Sequence, residues 1–328
     1  MKNCLKFVLS CNYLWLYLLF SAPFLLFVIV TIAEGEDKQA RAAHYMMLAS
    51  KENVGMEACK GCHELAAQHW SHTVHAMIGD AAPTNDNQSV NCESCHGPGS
   101  AHVVDPAAPE TIVRFSRTSV TPVAVQNSQC LACHDGGERM HWTTSQHESA
   151  DLACSDCHNP MGRLSENGLL ARAGVNETCM MCHKEQRVDF RRRSHMPLFE
   201  GKIDCTDCHN PHGSAFDIML RTPTVNETCY GCHAEKRGPF LFEHAPVQEN
   251  CLNCHNPHGS NHEKLLITAR PILCQQCHAM TGHVNDLLVS GNLASGGRPD
   301  PRIIGRSCQN CHVAIHGSNH SAGSKFHR

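Results

Sequence analysis

The chain has few of the side chains that usually fill a protein core. Phe, Trp and Tyr together make up 5% of the 328 residues, with only 3 Trp and 4 Tyr. Cysteine and histidine are abundant instead, at 22 and 26 residues. A chain of this length is expected to bury a sizeable core. We therefore expect something other than aromatic side chains to occupy much of the interior.

Several signatures of function are also absent. No Ser/His/Asp grouping and no phosphate-binding loop stands out, so hydrolytic and nucleotide-dependent chemistry have no support in the sequence. The formal net charge is −4, and no feature suggests nucleic-acid binding. Beyond the apolar segment at the N-terminus, no stretch is long and apolar enough to cross a bilayer.

Twenty of the 22 cysteines fall in ten copies of C-x-x-C, and every copy is followed at once by His. Secreted disulfide scaffolds and paired zinc ribbons also use closely spaced cysteines. Neither explains ten adjacent histidines, whereas C-x-x-C-H is the attachment signal for c-type haem. On one helical turn, residues i, i+3 and i+4 share a face, so both cysteines reach the vinyl groups while His binds iron. The sequence therefore predicts ten c-type haems.

These motifs, numbered 1 to 10 along the chain, define the covalent and proximal ligands. The cysteines that we expect to bind haem are Cys59, Cys62, Cys92, Cys95, Cys130, Cys133, Cys154, Cys157, Cys179, Cys182, Cys205, Cys208, Cys229, Cys232, Cys251, Cys254, Cys274, Cys277, Cys308 and Cys311. The proximal iron ligands are then His63, His96, His134, His158, His183, His209, His233, His255, His278 and His312.

Candidates for the distal iron ligands follow two spacings. After odd-numbered motifs the next well-placed His lies a loop away from the proximal His, and after even-numbered motifs it follows closely. Motif 9 departs from its class, because its candidate follows the proximal His as closely as in an even-numbered motif. The candidates are His75, His102, His147, Met161, His195, His212, His244, His258, His283 and His316. Sequence order does not tell which iron each one serves.

Met161 stands out among these candidates because it is not a histidine. Motif 4 reads CSDCHNPMG, whereas motifs 6 and 8 read CTDCHNPHG and CLNCHNPHG. Met161 therefore occupies the position of His212 and His258. A thioether ligand raises the haem potential relative to a second imidazole. The alternative is that Met161 fills the core and that a spare histidine such as His141 binds the iron.

The N-terminus predicts export. Lys2 and Lys6 precede an apolar run from about Leu14 to Ala33, which is followed by the polar segment EGEDKQAR. Residues 1–33 are interpreted as a signal peptide. An uncleaved membrane anchor is the alternative, since about 20 apolar residues suffice to span a bilayer.

The repeats predict the architecture. VNETC occurs twice and CHNP three times, and the segments between motifs are too short for long helices. We expect a multihaem cytochrome c of loops and short α-helices around a linear chain of ten haems, with little or no β structure. Residues 34–58 form an N-terminal linker, and residues 59–328 form a decahaem domain of five tandem two-haem repeats.

The chain resembles the periplasmic decahaem cytochromes of the MtrA/DmsE/PioA type from about Cys59 to its end. The stretches that match are CHGPGSAH at 95–102, VNETCYGCHAEKRGPFLFEHAPVQENCLNCHNPHGS at 225–260, LCQQCHA at 273–279 and IHGSNH at 315–320. The resemblance implies a conduit inside an outer-membrane β-barrel porin. Its further partners would be periplasmic or inner-membrane redox cytochromes and, as a further candidate, a surface multihaem cytochrome, with the protein in the periplasm at the outer membrane.

The number of candidate iron ligands favours electron transport over catalysis, because each of the ten irons has one proximal and one candidate distal ligand. An iron with two strong protein ligands has no open position for substrate, and no motif here has the C-x-x-C-K form found in catalytic multihaem enzymes. The leading prediction is an electron carrier, leaning towards Fe(II) oxidation because of Met161, with metal or dimethyl sulfoxide reduction otherwise. A free periplasmic shuttle and, less favoured, a multihaem reductase are the alternatives.

Overall fold

The computed structural model describes residues 37–81, 90–278 and 307–327. The predicted signal segment and His283 lie outside these residues. The chain divides into two compact units. The first compact unit comprises the chain up to residue 135 together with residues 151–171, and the second comprises residues 136–150 together with the chain from residue 172 onward.

Short helices dominate the described residues. Residues 37–48 form helix α1. The other α-helices are α2 (Met56–Lys60), α3 (Glu64–Trp70), α4 (Val74–Ala81), α5 (Cys92–His96), α6 (Ser100–Val104), α7 (Val123–Leu131), α8 (Gln146–Ser149), α9 (Cys154–Cys157), α10 (Val175–Cys179), α11 (Lys184–Asp189), α12 (Val225–Tyr230), α13 (Ala245–Glu249) and α14 (Ile272–Gln275). The 3-10 helices are Gly137–Arg139, Cys205–Asp207, Asp217–Met219, Ala234–Lys236, Cys251–Asn253, Glu263–Leu265, Cys308–Asn310 and Gly323–Lys325.

The odd- and even-numbered motifs fold differently. In odd-numbered motifs a helix leads into the first cysteine, as in α10, which ends at Cys179, and in α12, which contains Cys229. In even-numbered motifs the helix starts at the first cysteine. In motif 2 the preceding residue, Asn91, accepts hydrogen bonds from the N–H groups of Glu93 and Ser94, as Asn and Asp do at helix starts. This difference marks two structural classes of motif.

Three asparagines, two buried and one half-buried, join the two classes of motif. Asn226, three residues before Cys229, accepts a hydrogen bond from the N–H of Cys251 at 2.8 Å and donates to the carbonyls of Val247 and Gln248. Asn176 and Asn127 likewise accept from the N–H of the first cysteine of the next motif, at 3.0 and 2.8 Å. Because a buried amide needs its partners, each asparagine fixes the start of an even-numbered motif against the preceding odd-numbered one.

After three of the even-numbered motifs the chain folds back on its proximal histidine. These segments, residues 158–170, 209–220 and 255–266, are called returns, as are the segments that fold back in the same way after motifs 2 and 10. The proximal histidine forms an isolated antiparallel bridge with a leucine further along the chain. These bridges join His158 to Leu170, His209 to Leu220 and His255 to Leu266. Such isolated bridges are the β structure of these segments, and no continuous strand occurs in the described residues.

The first compact unit has a small apolar cluster. Tyr45 and Leu48 of α1 pack with Val113, and the hydroxyl of Thr121 donates to the Tyr45 hydroxyl at 2.9 Å. Residues 37–48, which lie in the predicted linker, are thus helical and contribute to this unit. Glu93 is also buried here. Burial acts to raise its pKa, but hydrogen bonds from three backbone N–H groups hold the pKa of Glu93 below its usual range.

The second compact unit has a comparable cluster. It is formed by Met180, Phe190 and Leu198, with Met196 and Ile203 packed against it. Protein cores usually form one contiguous cluster per domain, and these two clusters of three buried residues are much smaller. Apolar side chains therefore form only small clusters in the described residues, as the composition predicts.

The predicted fold class is confirmed. The described residues form short helices and loops with no sheet, as expected for a multihaem cytochrome c. Among those same residues, no helix has the length and hydropathy needed to span a bilayer.

Replacing Asn226 by Ala should destabilise the haem-loaded protein. The substitution strips a partner from the Cys251 N–H and from two backbone carbonyls, and a buried polar group left unpaired costs about 1–3 kcal/mol. Urea unfolding followed at the Soret band should show a lower midpoint. The matched control is Asn167→Ala, because Asn167 is exposed; equal midpoints for the two variants would contradict the assigned role.

Candidate haem-binding sites

The C-x-x-C-H turns have the geometry that haem attachment needs. In nine motifs the N–H of the proximal His donates to the carbonyl of the first cysteine at 2.8–3.1 Å. In motif 2 the same residues form α5. This bond closes one helical turn, so the first cysteine and the histidine share a face. The structure thus presents two thiols and one imidazole together at each motif.

The first cysteines of consecutive odd- and even-numbered motifs lie next to each other. Burial, followed by the Cys92 thiol, raises the pKa of Cys59 to about 11. Burial together with the Cys251 thiol raises the pKa of Cys229 to about 12. The other pairs are Cys130 with Cys154, Cys179 with Cys205, and Cys274 with Cys308. Every predicted two-motif repeat therefore has one such contact.

The second cysteines show the complementary proximity, from an even-numbered motif to the next odd-numbered one. Burial raises the pKa of Cys95, with the nearby Cys133 as the next cause. In the second compact unit the corresponding pairs are Cys208 with Cys232 and Cys254 with Cys277. Within each compact unit, the vinyl edges of haems attached to these motifs would follow one another in sequence order.

Six of the predicted distal ligands face a predicted proximal ligand. The separations between ring centroids are 6.3 Å for His63 and His102, 6.0 Å for His75 and His134, 6.1 Å for His147 and His183, 6.3 Å for His209 and His258, 6.1 Å for His244 and His278, and 6.2 Å for His255 and His316. Each pair lies within one compact unit.

This spacing fits an iron atom between the rings. An imidazole nitrogen binds a transition metal at about 2.0 Å, and two rings on opposite sides of one iron then have centroids about 6 Å apart. Stacked rings in direct contact lie closer than this, although edge-to-face pairs also reach such separations. The residues present therefore fit a haem iron with two histidine ligands in all six cases.

Electrostatics favours the neutral imidazoles that iron requires. Burial, and next the facing His134, lowers the pKa of His75. Burial also lowers the pKa of His258, with His209 as the next cause. A metal ligand must be deprotonated at the coordinating nitrogen. A low pKa keeps these rings available for iron at neutral pH.

The pairing of the distal ligands follows a rule that sequence order does not reveal. The candidates from odd-numbered motifs that face a proximal histidine face that of the next odd-numbered motif, as His147 faces His183. Those from even-numbered motifs face the proximal histidine of a preceding motif, as His258 faces His209 and His316 faces His255. The spacing classes alone give no such direction, because it arises from the way the chain returns on itself.

Met161 adopts the same backbone turn as its histidine counterparts. Its N–H donates to the side chain of Asn159 at 3.2 Å, while His212 and His258 donate to Asn210 and Asn256 at 3.1 Å. Met161 is half-buried. The local fold of motif 4 thus keeps the ligand register despite the changed side chain.

The structure does not bring His195 to His233, the partner that its register predicts. Its Nδ1 donates to the Arg192 carbonyl at 2.7 Å, and its Nε2 lies 3.1 Å from the Glu200 carboxylate. The backbone bond and then Glu200 raise the pKa of His195. His195 therefore has a ligand-like bond at Nδ1, but its other nitrogen faces an exposed carboxylate.

The C-terminal motif has a different neighbour. The His327 ring centroid lies 4.6 Å from that of His312, which is too short for an iron between the rings. His327 is not among the predicted ligands, and His283, the candidate that follows motif 9, lies outside the described residues. Met161, His195, His212 and His283 thus stay predictions as distal ligands.

Two of the three consecutive arginines at positions 191–193 contact other protein groups in this structure. Arg191 lies over the ring of Phe199 at 5.6 Å, and Arg192 pairs with Asp189 at 2.8 Å. Among the spare histidines, His44 bonds through Nε2 to the Glu110 carbonyl at 2.8 Å. These contacts stabilise the fold.

Comparisons with known proteins agree with this arrangement. Residues 147–188, 195–238 and 244–283 match the family described as the doubled CXXCH motif, and residues 92–165 match the family of NrfB-like c-type cytochromes. The chain is 41% identical over 278 residues to the multihaem cytochrome MtrA of Shewanella baltica (strain OS185), covering 84% of this chain and 81% of the relative.

Replacing His258 by Ala should leave the iron bound by His209 with one protein ligand. That iron should become high-spin, because a six-coordinate low-spin state needs the second strong ligand. Electron paramagnetic resonance of the oxidised holoprotein measures the change. His262→Ala is the control, since His262 lies in the same loop and faces no proximal ligand among the described residues; a fully low-spin His258→Ala protein would contradict the pairing.

Proposed function

Because the chain belongs to the family of the multihaem cytochrome MtrA, we propose that this c-type cytochrome is a decahaem electron conduit. It transfers electrons across the outer membrane inside a β-barrel porin. The observation that carries the proposal is the alternation of cysteine contacts, first with first and second with second. Haems attached at these thiols would lie edge to edge, and electrons pass fastest between cofactors in near contact.

The ligand arrangement supports an electron carrier. Six irons would have imidazoles on both sides, and a haem so ligated exchanges electrons without binding a substrate. When bound, the haems supply the redox chemistry, and the chain sets their spacing and potentials. A multihaem reductase would need an open iron, which none of these six pairs provides.

The count of ten haems follows from the motifs. Each of the ten C-x-x-C-H segments has the same hydrogen-bonded turn, so no motif differs in a way that would prevent attachment. Mass spectrometry of the holoprotein should therefore show ten covalently bound haems. The mature N-terminus found in the same spectrum distinguishes a cleaved signal peptide from an anchor.

We assign His195 to the iron of His233. Its position in motif 5 matches that of His147 in motif 3, and its Nδ1 is already fixed by the Arg192 carbonyl. An exposed pair such as His195 and Glu200 contributes little, so iron coordination at Nε2 should displace the carboxylate. The resonance measurement described above decides this assignment, because His195→Ala should create a high-spin iron and Glu200→Gln should not.

Met161 is assigned to the iron of His96. The candidates of motifs 8 and 10 face the proximal histidine of the preceding even-numbered motif, and motif 2 is the even-numbered motif that precedes motif 4. Both residues lie in the first compact unit, where the Arg117 side chain pairs with Asp156 at 2.8 Å and so holds motif 4 against the segment that follows motif 2. His102 is engaged with His63, which leaves His96 in need of a ligand.

A Met/His haem favours electron entry from a relatively oxidising donor. The thioether stabilises Fe(II) and raises the potential, so one such haem suits electrons that arrive from Fe(II). We therefore propose inward electron flow, with outward flow to metals or dimethyl sulfoxide as the second candidate. The partners in either case are a porin and periplasmic or inner-membrane cytochromes, and a surface cytochrome would favour outward flow.

Replacing Met161 by His should convert one haem to bis-histidine ligation. The near-infrared charge-transfer band of a ferric His/Met haem should be present in the native protein and lost in Met161→His. The potential of that haem should also fall, because imidazole favours Fe(III). Met140→Leu is the control, since Met140 is 65% exposed; a native protein without the band would contradict the assignment.

The conduit proposal predicts transfer across a membrane. The full-length holoprotein, tagged and extracted from outer membranes, should copurify with a β-barrel. Liposomes containing that complex should pass electrons from an external reductant to an enclosed acceptor, and liposomes with the cytochrome alone should not. Recovery in the soluble periplasmic fraction without a barrel would favour a shuttle, and nitrite turnover at a high-spin haem would favour a reductase.

A further inference from the structure

The proximal histidine of every even-numbered motif makes the same kind of hydrogen bond through its ring. In each, Nδ1 lies 2.6–3.0 Å from a backbone carbonyl further along the chain, and a carbonyl can only accept, so Nδ1 donates. The five bonds join His96 to Val113, His158 to Gly168, His209 to Ile218, His255 to Lys264 and His312 to Lys325. The bond leaves Nε2 as the nitrogen that faces iron.

Four of the odd-numbered motifs, 1, 5, 7 and 9, differ. For His63, His183, His233 and His278, no hydrogen bond from Nδ1 to a backbone carbonyl occurs within the described part of the chain. The Nδ1 of His233 lies 3.7 Å from the Glu235 carboxylate, which is beyond hydrogen-bonding distance. The difference follows from the fold, because the chain that follows an even-numbered motif returns to its proximal histidine and presents a carbonyl there.

In motifs 6 and 8 the return places the acceptor carbonyl by means of an unfavourable backbone. Ile218 and Met219 have φ values of 53° and 54°, and Lys264 and Leu265 both have φ of 60°. Side chains rarely adopt this left-handed conformation, and a β-branched residue such as Ile218 does so least readily. Backbone strain of this kind persists where the surrounding structure enforces it, often at functional sites.

A hydrogen bond at Nδ1 changes the iron on the other side of the ring. Donation to a carbonyl makes the imidazole a stronger base, and a stronger donor stabilises Fe(III) over Fe(II). Second-shell hydrogen bonding is one of the means by which a protein sets haem potential. A haem held by an even-numbered motif should therefore be harder to reduce than a comparable haem held by an odd-numbered one.

We propose that the returns after the even-numbered motifs are positioning elements that lower the potentials of their haems. Within the second compact unit, whose odd-numbered proximal histidines are His183, His233 and His278, the potentials then alternate from motif to motif. This inference rests on the proposed haem attachment. It does not depend on the porin or on the direction of flow, because a free shuttle would show the same alternation.

The test compares Lys264→Pro with Lys264→Gly. Proline fixes φ at a negative value and turns the carbonyl away from His255, whereas glycine adopts positive φ freely and keeps the bond. In a spectroscopic redox titration of the holoprotein, one tenth of the absorbance change belongs to one haem. In the proline variant the haem held by His255 should be reduced at a higher potential. A neutral hydrogen bond predicts roughly a two- to tenfold change in that equilibrium, and tenfold corresponds to about 59 mV for one electron.

Lys264→Gly should leave the titration unchanged, and the corresponding pair at Ile218 should repeat both results for the haem of His209. Equal titrations for the proline and glycine variants, with spectra of intact low-spin haem, would overturn the proposal. If a proline variant fails to take up haem, hydrogen exchange in the native reduced protein decides instead. The Nδ1 protons of the even-numbered proximal histidines should exchange slowly and those of His63, His183, His233 and His278 fast, and uniform exchange would overturn the proposal.

Discussion

The helical turn that joins two cysteines and a histidine is the constraint on which this structure depends. In each motif one backbone hydrogen bond closes the turn, and everything between the turns must bring a second ligand to an iron and pass to the next motif. Protein side chains do little of the packing, since the apolar clusters contain three buried residues each. The chain is thus organised around its haem sites, with short connections and few regular elements.

The two classes of motif divide the structural work. Odd-numbered motifs end a helix, and three of them place an asparagine three residues before the first cysteine, as Asn176 and Asn226 show. Even-numbered motifs begin a short helix and lead into a return whose carbonyl accepts the proximal imidazole N–H. One class therefore fixes the relative position of neighbouring haem sites, while the other orients an iron ligand. Electron transfer needs both distance and potential to be set, and under the proposals above different segments of the chain would set them.

Local sequence predicted what depends on local geometry. The C-x-x-C-H turns, the shortness of the helices and the family follow from motif spacing, because a covalent haem permits one arrangement of those five residues. The choice of candidate ligands also came from spacing, and six of them lie opposite a proximal histidine. The direction of pairing did not, since His316 reaches His255 although two further motifs lie between them in the sequence. The contact of His195 with Glu200 likewise has no signal in the repeat pattern.

The sequence by itself determined which residues are expected to form the sites: the cysteines of attachment, the proximal histidines, and Met161 in place of histidine in one repeat. Tertiary structure alone decided which rings face each other, which thiols adjoin, and which proximal histidines donate to a carbonyl. The physical reason is range. A helical turn is closed by neighbours four residues apart, whereas an iron site and its hydrogen bonds are completed by segments that meet only after the chain has folded back on itself.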